Sequence, residues 1–197
     1  MNLFDNIAKK YDIDSRIELA NTITKELRKE LKNTSDKQAL DYGCGTGLVG
    51  LQLTDKFRSI LFVDSSEEMI NVVNQKIEKI KVNNGSTMVG DFSTEDLPDV
   101  KVDFIIVSLV LLHVQKTSIL FESLYKLLNL EGELIIVDFD KNEKINHEKV
   151  HNGFTHQELY NQAERVGFKD ISVRTFYRGK EIFMNQDASM FIFNAKK

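Results

Sequence analysis

Residues 38 to 47, Gln-Ala-Leu-Asp-Tyr-Gly-Cys-Gly-Thr-Gly, constrain the fold of this chain more than any other stretch. A short apolar run passes through a carboxylate, Asp41, into glycines at 43, 45 and 47. Glycines at alternate positions allow positive φ and remove the Cβ atoms that would hold a ligand away from the backbone, so main-chain N–H groups are expected to approach a bound molecule there. A second apolar run, Ile60-Leu61-Phe62-Val63, ends in Asp64, 17 residues past Gly47. An acid at that distance is placed to accept hydrogen bonds from a ribose. The two segments together predict a site for a nucleoside-bearing molecule at the end of adjacent strands.

The details of the loop narrow the ligand. A dinucleotide fingerprint, G-x-G-x-x-G, starting at Gly43 needs glycine at 48, where the chain has Leu48, and starting at Gly45 it lacks the intermediate spacing. What stands is G-x-G-x-G with Asp41 two residues ahead, and an acid there suits a cationic ammonium better than a pyrophosphate. At Leu40-Asp41-Tyr42-Gly43-Cys44-Gly45-Thr46-Gly47 the sequence resembles the class I S-adenosylmethionine-dependent methyltransferases. Further segments follow in the family's order. They are Gly90-Asp91-Phe92, the run Val102 to Ser108, the turn and strand Leu128 to Val137, then Gly153 to Leu159 and Gly167-Phe168. The resemblance covers residues 36 to 197. It implies S-adenosyl-L-methionine as cofactor, S-adenosyl-L-homocysteine as product, and a binding set of Asp41, Gly43, Cys44, Gly45, Thr46, Gly47, Asp64, Ser65, Met69, Gly90, Asp91, Phe92 and Ser108. Within that set Asp64 meets the ribose and Asp91 the adenine amine. The entry segment Phe4 to Asp12 is similar to that of small-molecule methyltransferases of the quinone-biosynthesis type, in which an aromatic folds over the cofactor. That likeness points to Tyr11, with Phe4 as packing.

The alternation of strand and helix patterns implies an α/β fold with a parallel sheet. Helical stripes run through Ile13, Ile17, Ala20, Ile23, Leu27 and Leu31, and through Met69, Val73, Ile77 and Ile80, with Ser65 or Ser66 as cap. Others run through Ile119 to Leu128 and through Leu159, Ala163 and Val166. After Gly167 two strands, about 170–177 and 188–196, are joined by residues 178–187 without a helix, so they must be antiparallel. A seven-stranded, mostly parallel, Rossmann-like sheet with helices on both faces and an antiparallel C-terminal hairpin is the arrangement the resemblance implies. Residues 1–34 read as a helical extension or lid on one domain, 35–197, and residues 140–153 as a polar loop able to cover the carboxyl edge.

Composition excludes several classes. A net charge of −4 disfavours a partner gripped through phosphates, and the basic run Lys25 to Lys32 alternates with Glu26 and Glu30 as a solvated face. No apolar run approaches a membrane span, Met1 to Lys10 lacks an apolar signal core, and the single cysteine, Cys44, forms no internal disulfide. A cytoplasmic enzyme, monomer or homodimer, is the expectation. The four histidines have no zinc spacing and no metal is expected.

Methyl transfer from a sulfonium is an in-line displacement for which positioning supplies much of the rate, and a base adds ~10²–10⁴-fold if the acceptor carries a proton. His113, following Ser108-Leu109-Val110-Leu111-Leu112, is the candidate base, or else a residue that hydrogen-bonds a loop carbonyl and shapes the pocket. Tyr11 is its catalytic companion, either near the sulfonium or as packing. His151 is a second candidate, and His147 and His156 read as loop or cap residues. Ser108-Leu109-Val110-Leu111 is not the Asn/Asp-Pro-Pro-aromatic tetrapeptide that holds planar amines, which argues for a small, partly apolar acceptor. A nicotinamide-dependent oxidoreductase and a non-catalytic cofactor-binding protein are the alternatives.

Overall fold

The alternation of strands and amphipathic helices is realised in the computed structural model, which describes residues 7–93, 97–148 and 150–197. Phe4, assigned above to packing, lies outside the described residues. The chain divides into two units, Met1–Asp91 and Phe92–Lys197.

The first unit begins with a 3₁₀ turn, Ala8–Lys10, and helix α1, Asp14–Glu30. Strands β1 (Gln38–Tyr42), β2 (Ser59–Asp64) and β3 (Gly85–Val89) follow, with a 3₁₀ segment Gly50–Lys56 after β1 and helix α2, Glu67–Ile80, after β2. β1 and β3 flank β2 in parallel, with Asp41 opposite Phe62 and Asp64 opposite Val89. Parallel register brings the carboxyl ends of β1 and β2 together, which sets the glycine loop beside Asp64. Of the two expected caps, Ser66 is the one used: its hydroxyl accepts from the Met69 N–H at 3.2 Å, and Glu67 and Glu68 sit at the positive helix end. The stripes bury Ile23 and Leu27 of α1 and Met69 and Val73 of α2, but their ends depart from expectation. Ile13 precedes α1 as its N-cap and is 50% exposed, and Ile80, in the last turn of α2, is 56% exposed.

The second unit holds β4 (Val102–Ser108), a 3₁₀ turn Leu111–His113, α3 (Thr117–Leu127), β5 (Leu128–Phe139), α4 (His156–Val166), β6 (Lys169–Phe183) and β7 (Gln186–Lys196). β4 and β5 pair in parallel, while β7 runs antiparallel to both β5 and β6. The strand succession β3-β2-β1-β4-β5-β7-β6 is that of a seven-stranded, mostly parallel Rossmann-like sheet with an antiparallel C-terminal pair. The ten-residue link expected at 178–187 contracts to Met184-Asn185, both at positive φ (50° and 59°), as a two-residue hairpin requires. Register shifts between Gly179 and Phe183 break the alternation there and hid the continuing strand from a periodicity reading.

Candidate functional site

Within the first unit the glycine loop is knotted onto the end of β2. The N–H groups of Gly43 and Cys44 donate to the Val63 carbonyl at 2.8 and 2.9 Å, and the Gly47 N–H donates to the Cys44 carbonyl at 2.9 Å. The Gly45 N–H donates to Asp64 Oδ2 at 2.8 Å, and the Ser66 N–H to Asp64 Oδ1 at 2.9 Å. Four loop amides expected to face a ligand are therefore donated within the protein. What the loop presents is its Cβ-free surface. At Gly45, with φ +54°, an added Cβ would meet only the edge of the Tyr11 ring, 4.0 Å away. Gly47 is needed for packing instead, since a Cβ there would lie 2.8 Å from Leu51 Cδ1.

Asp41 is buried, and neither carboxylate oxygen has a hydrogen-bond partner among the described residues. Burial and the charge of Asp64 push its pKa up to about 7, against a weaker lowering by the Gly50 amide, whose geometry falls short of a full hydrogen bond. Gly50 keeps the space open, because a Cβ at that position would stand 2.1 Å from Asp41 Oδ2. An orphaned buried acid beside a Cβ-free loop suits a ligand with a cationic group. The Cys44 thiol is buried and its pKa is raised well above 9.0, first by burial and then by Asp41 and Asp64, which makes it inert.

The other residues expected here are placed as follows. Gly90 donates its N–H to the Asp64 carbonyl at 2.9 Å, and the Tyr42 hydroxyl donates to Asp91 Oδ1 at 3.2 Å. Met69 is buried under the helix start, and Ser65 is exposed at the turn. Tyr11 is half-buried, its ring covered on one face by the Arg16 guanidinium at 4.1 Å. Burial raises its pKa, which Arg16 partly opposes, so the hydroxyl stays protonated at neutral pH.

The second unit carries Phe92, buried, and Ser108, half-buried at the end of β4 opposite Val137. Leu109 follows at φ +56°, a conformation a leucine adopts only under constraint, and its N–H donates to the Val137 carbonyl at 2.8 Å. The chain then turns through Leu111–His113. Two side chains brace this turn. Asp138, fully buried at the end of β5, accepts from the Phe139 N–H at 2.8 Å and, at a long 3.4 Å, from the Leu112 N–H. Burial lifts its pKa to about 7, opposed by the amides of Phe139, Leu112, Leu111 and Val110. His151 donates its backbone N–H to the Leu112 carbonyl and its Nε2–H to the Val114 carbonyl, both at 2.9 Å, which fixes its tautomer. His113 lies between these tethers. Desolvation lowers its pKa.

A cavity of about 460 Å³ opens beside this turn, lined by His113, His147 and His151, by Gln115, Asn146, Glu148 and Asn152, and by apolar Leu112, Ile145 and Val150. His147, read as an ordinary loop residue, thus joins His113 and His151. His156 does not: its Nε2 contacts Asp140 Oδ1 at 2.9 Å and Thr175 Oγ1 at 3.4 Å. One nitrogen facing both acid and hydroxyl leaves no relay between them. Sequence reasoning missed Leu109 and Asp138, whose roles rest on a backbone angle and long-range pairing that a motif does not encode. Among the described residues no three His, Cys, Asp or Glu converge as a metal site, and no helix is long and apolar enough to cross a membrane.

The sequence model of a methyltransferase domain matches residues 33–186. An uncharacterized methyltransferase of Schizosaccharomyces pombe is 25% identical over 158 residues, 71% of this chain and 56% of that protein, so the chain spans about half of that relative's length. The crystal structure of a SAM-dependent methyltransferase from Aquifex aeolicus superposes with a TM-score of 0.75 at 23% identity, covering 98% of this chain and 97% of its own. Phosphoethanolamine N-methyltransferase 2 of Haemonchus contortus, solved in complex with S-adenosyl-L-methionine, gives 0.76 at 15% identity and covers 100% of this chain and 60% of its own. The finer likeness to quinone-biosynthesis enzymes gains no support from these matches.

Proposed function

Because the chain belongs to the methyltransferase-domain family, we propose that it transfers the methyl group of S-adenosyl-L-methionine to a small-molecule acceptor. The observation that carries this reading is the bond from the Gly45 amide to Asp64 at 2.8 Å, which ties the acid of β2 to the Cβ-free loop at Gly45. The bound cofactor supplies a methyl group already activated on a sulfonium. Asp64, oriented by Gly45 and Ser66, accepts from the ribose hydroxyls, and Asp41 offers the negative charge that the ligand's ammonium satisfies. Met69, Ser65, Gly90, Asp91, Phe92 and Ser108 complete the cofactor set, with Cys44, Thr46 and the glycines as its loop. In this reading residues 35–197 form the transferase domain and residues 1–34 its extension.

The acceptor occupies the histidine-lined cavity of the second unit. Its mixed lining of Leu112, Ile145 and Val150 with imidazoles and amides suits a small, partly apolar molecule that carries a nucleophilic oxygen, nitrogen or sulfur. His113 removes the acceptor's proton, and its lowered pKa keeps it neutral and competent as a base at pH 7. Tyr11 covers the cofactor. The Haemonchus enzyme acts on a phosphorylated amine by its name, which makes small amines and their phosphate esters the first acceptors to try.

Thermal shift with S-adenosylhomocysteine and with NAD separates this reading from the nicotinamide one. Stabilisation by the former alone is expected, and stabilisation by NAD alone would sink it. A screen of small O-, N- and S-acceptors with labelled S-adenosylmethionine then separates an enzyme from a non-catalytic binder.

A further inference from the structure

Thr46 sits buried between Gly45 and Gly47. Its hydroxyl donates to Asp12 Oδ1 at 2.5 Å, and its carbonyl accepts from Lys76 Nζ at 2.7 Å. The same Lys76 ammonium pairs with Asp12 Oδ2 at 2.6 Å. Three elements of the first unit meet at this triangle: the strap before α1, the glycine loop and the middle of α2. Both oxygens of Asp12 and two directions of the Lys76 ammonium are committed to it, so neither side chain is placed to serve as a direct ligand.

Tyr11 is the residue next to Asp12, and its ring edge stands over Gly45. From behind, the Arg16 guanidinium covers the ring at 4.1 Å and donates to the Tyr11 carbonyl at 3.0 Å. That contact holds Tyr11 to α1 alone. Among the described residues the Asp12 triangle supplies the side-chain hydrogen bonds and ion pair that join the strap to the loop, and so bears on the distance between the Tyr11 ring and the Cβ-free surface. Ala8, in the preceding 3₁₀ turn, is buried.

We infer that Asp12 and Lys76 form a clasp that holds Tyr11 closed over the glycine loop, making both positioning residues that set the rate at which the cofactor leaves. The inference rests on the reading of that loop as the cofactor site. Exchange then requires the clasp to open. Side chains 28% and 31% exposed lie within reach of salt, so ionic strength speeds exchange by screening the pair.

The test uses the full chain and S-adenosylhomocysteine, and needs no knowledge of the acceptor. Dissociation is followed by stopped-flow in the wild type, Asp12→Asn, Lys76→Met and the exchanged pair Asp12→Lys with Lys76→Asp, each checked for melting temperature. Loss of one charge-assisted contact is expected to raise the off-rate about tenfold and to flatten its salt dependence. The exchanged pair should recover part of both. Off-rates within twofold of wild type in both single variants overturn the clasp, whether or not the melting temperature drops, since lowered stability alone marks a purely structural pair. A wild type that binds no S-adenosylhomocysteine removes the cofactor reading itself, an outcome visible before any variant is made.

Discussion

Asp64 is spoken for on both oxygens, by the Gly45 and Ser66 amides, before any ligand arrives. The carboxylate therefore positions the loop as well as offering lone pairs. Asp64→Ala is expected to weaken S-adenosylhomocysteine binding by about 1.5–3 kcal/mol, the range for hydrogen bonds to a charged group. Calorimetry reads the loss, and unchanged affinity would take Asp64 out of the site. Asp41 differs, because neither of its oxygens has a hydrogen-bond partner among the described residues and only the weak pull of the Gly50 amide favours its charge. With its pKa pushed up to about 7, it holds its proton through mildly acid pH. A cationic ligand favours the carboxylate, so binding at pH 6 should release a proton, and affinity should rise with pH and level off above about 7. Calorimetry at pH 6 in two buffers of different ionisation heat measures the released proton directly, and Asp41→Asn should abolish it. The motif disclosed both acids. It did not disclose Gly50, whose hydrogen leaves room for the Asp41 carboxylate, because a steric need shows only once the segment after β1 folds back over that acid.

At the scale of elements, the polar segment after β5, expected as a cover, also acts as a brace. Through His151 it grips the turn carrying His113 at the two carbonyls that flank it, while Asp138 of β5 holds the Leu112 amide. If His113 is the base, His113→Ala should lower kcat by ~10²-fold with cofactor affinity unchanged, and the wild-type rate should rise with pH through an inflection below the usual histidine value of about 6.5. His151→Ala removes a tether without removing the base. It should raise the acceptor KM and lower kcat more mildly, with the inflection kept. Equal losses in the two variants, both without an inflection, would leave His113 a shaping residue. The helix stripes, the parallel strands and the antiparallel finish were all legible from periodicity and spacing. The brace was not, since its bonds join residues more than 25 positions apart and use backbone carbonyls that no residue type advertises.

Over the whole molecule, two fully buried carboxyls, Asp41 and Asp138, have their pKa values pushed up to about 7 from the ordinary 3.8 of an aspartate. A folded-state pKa above the unfolded one means that the folded protein binds more protons between the two values. The contribution of each acid is therefore fully present below about 3.8, declines as pH rises, and is gone once pH has passed about 7. His113 works in the opposite sense. Its lowered pKa costs stability as pH falls below 6.5, which offsets part of the carboxyl effect but, as one group against two, does not reverse it. The free protein should accordingly lose on the order of 1 kcal/mol of stability between pH 6 and 7, at most about 1.4 kcal/mol per pH unit for each acid. Urea denaturation at pH 5.5 to 8 gives the curve, and Asp138→Asn should flatten it by removing one of the two titrations while keeping an acceptor for the nearer, Phe139 amide. Saturating S-adenosylhomocysteine should flatten the part due to Asp41 alone, because the ligand's ammonium group compensates that charge and leaves Asp138 as it was. A wild-type curve that rises steadily with pH across this window would show that neither acid keeps its proton in the folded chain.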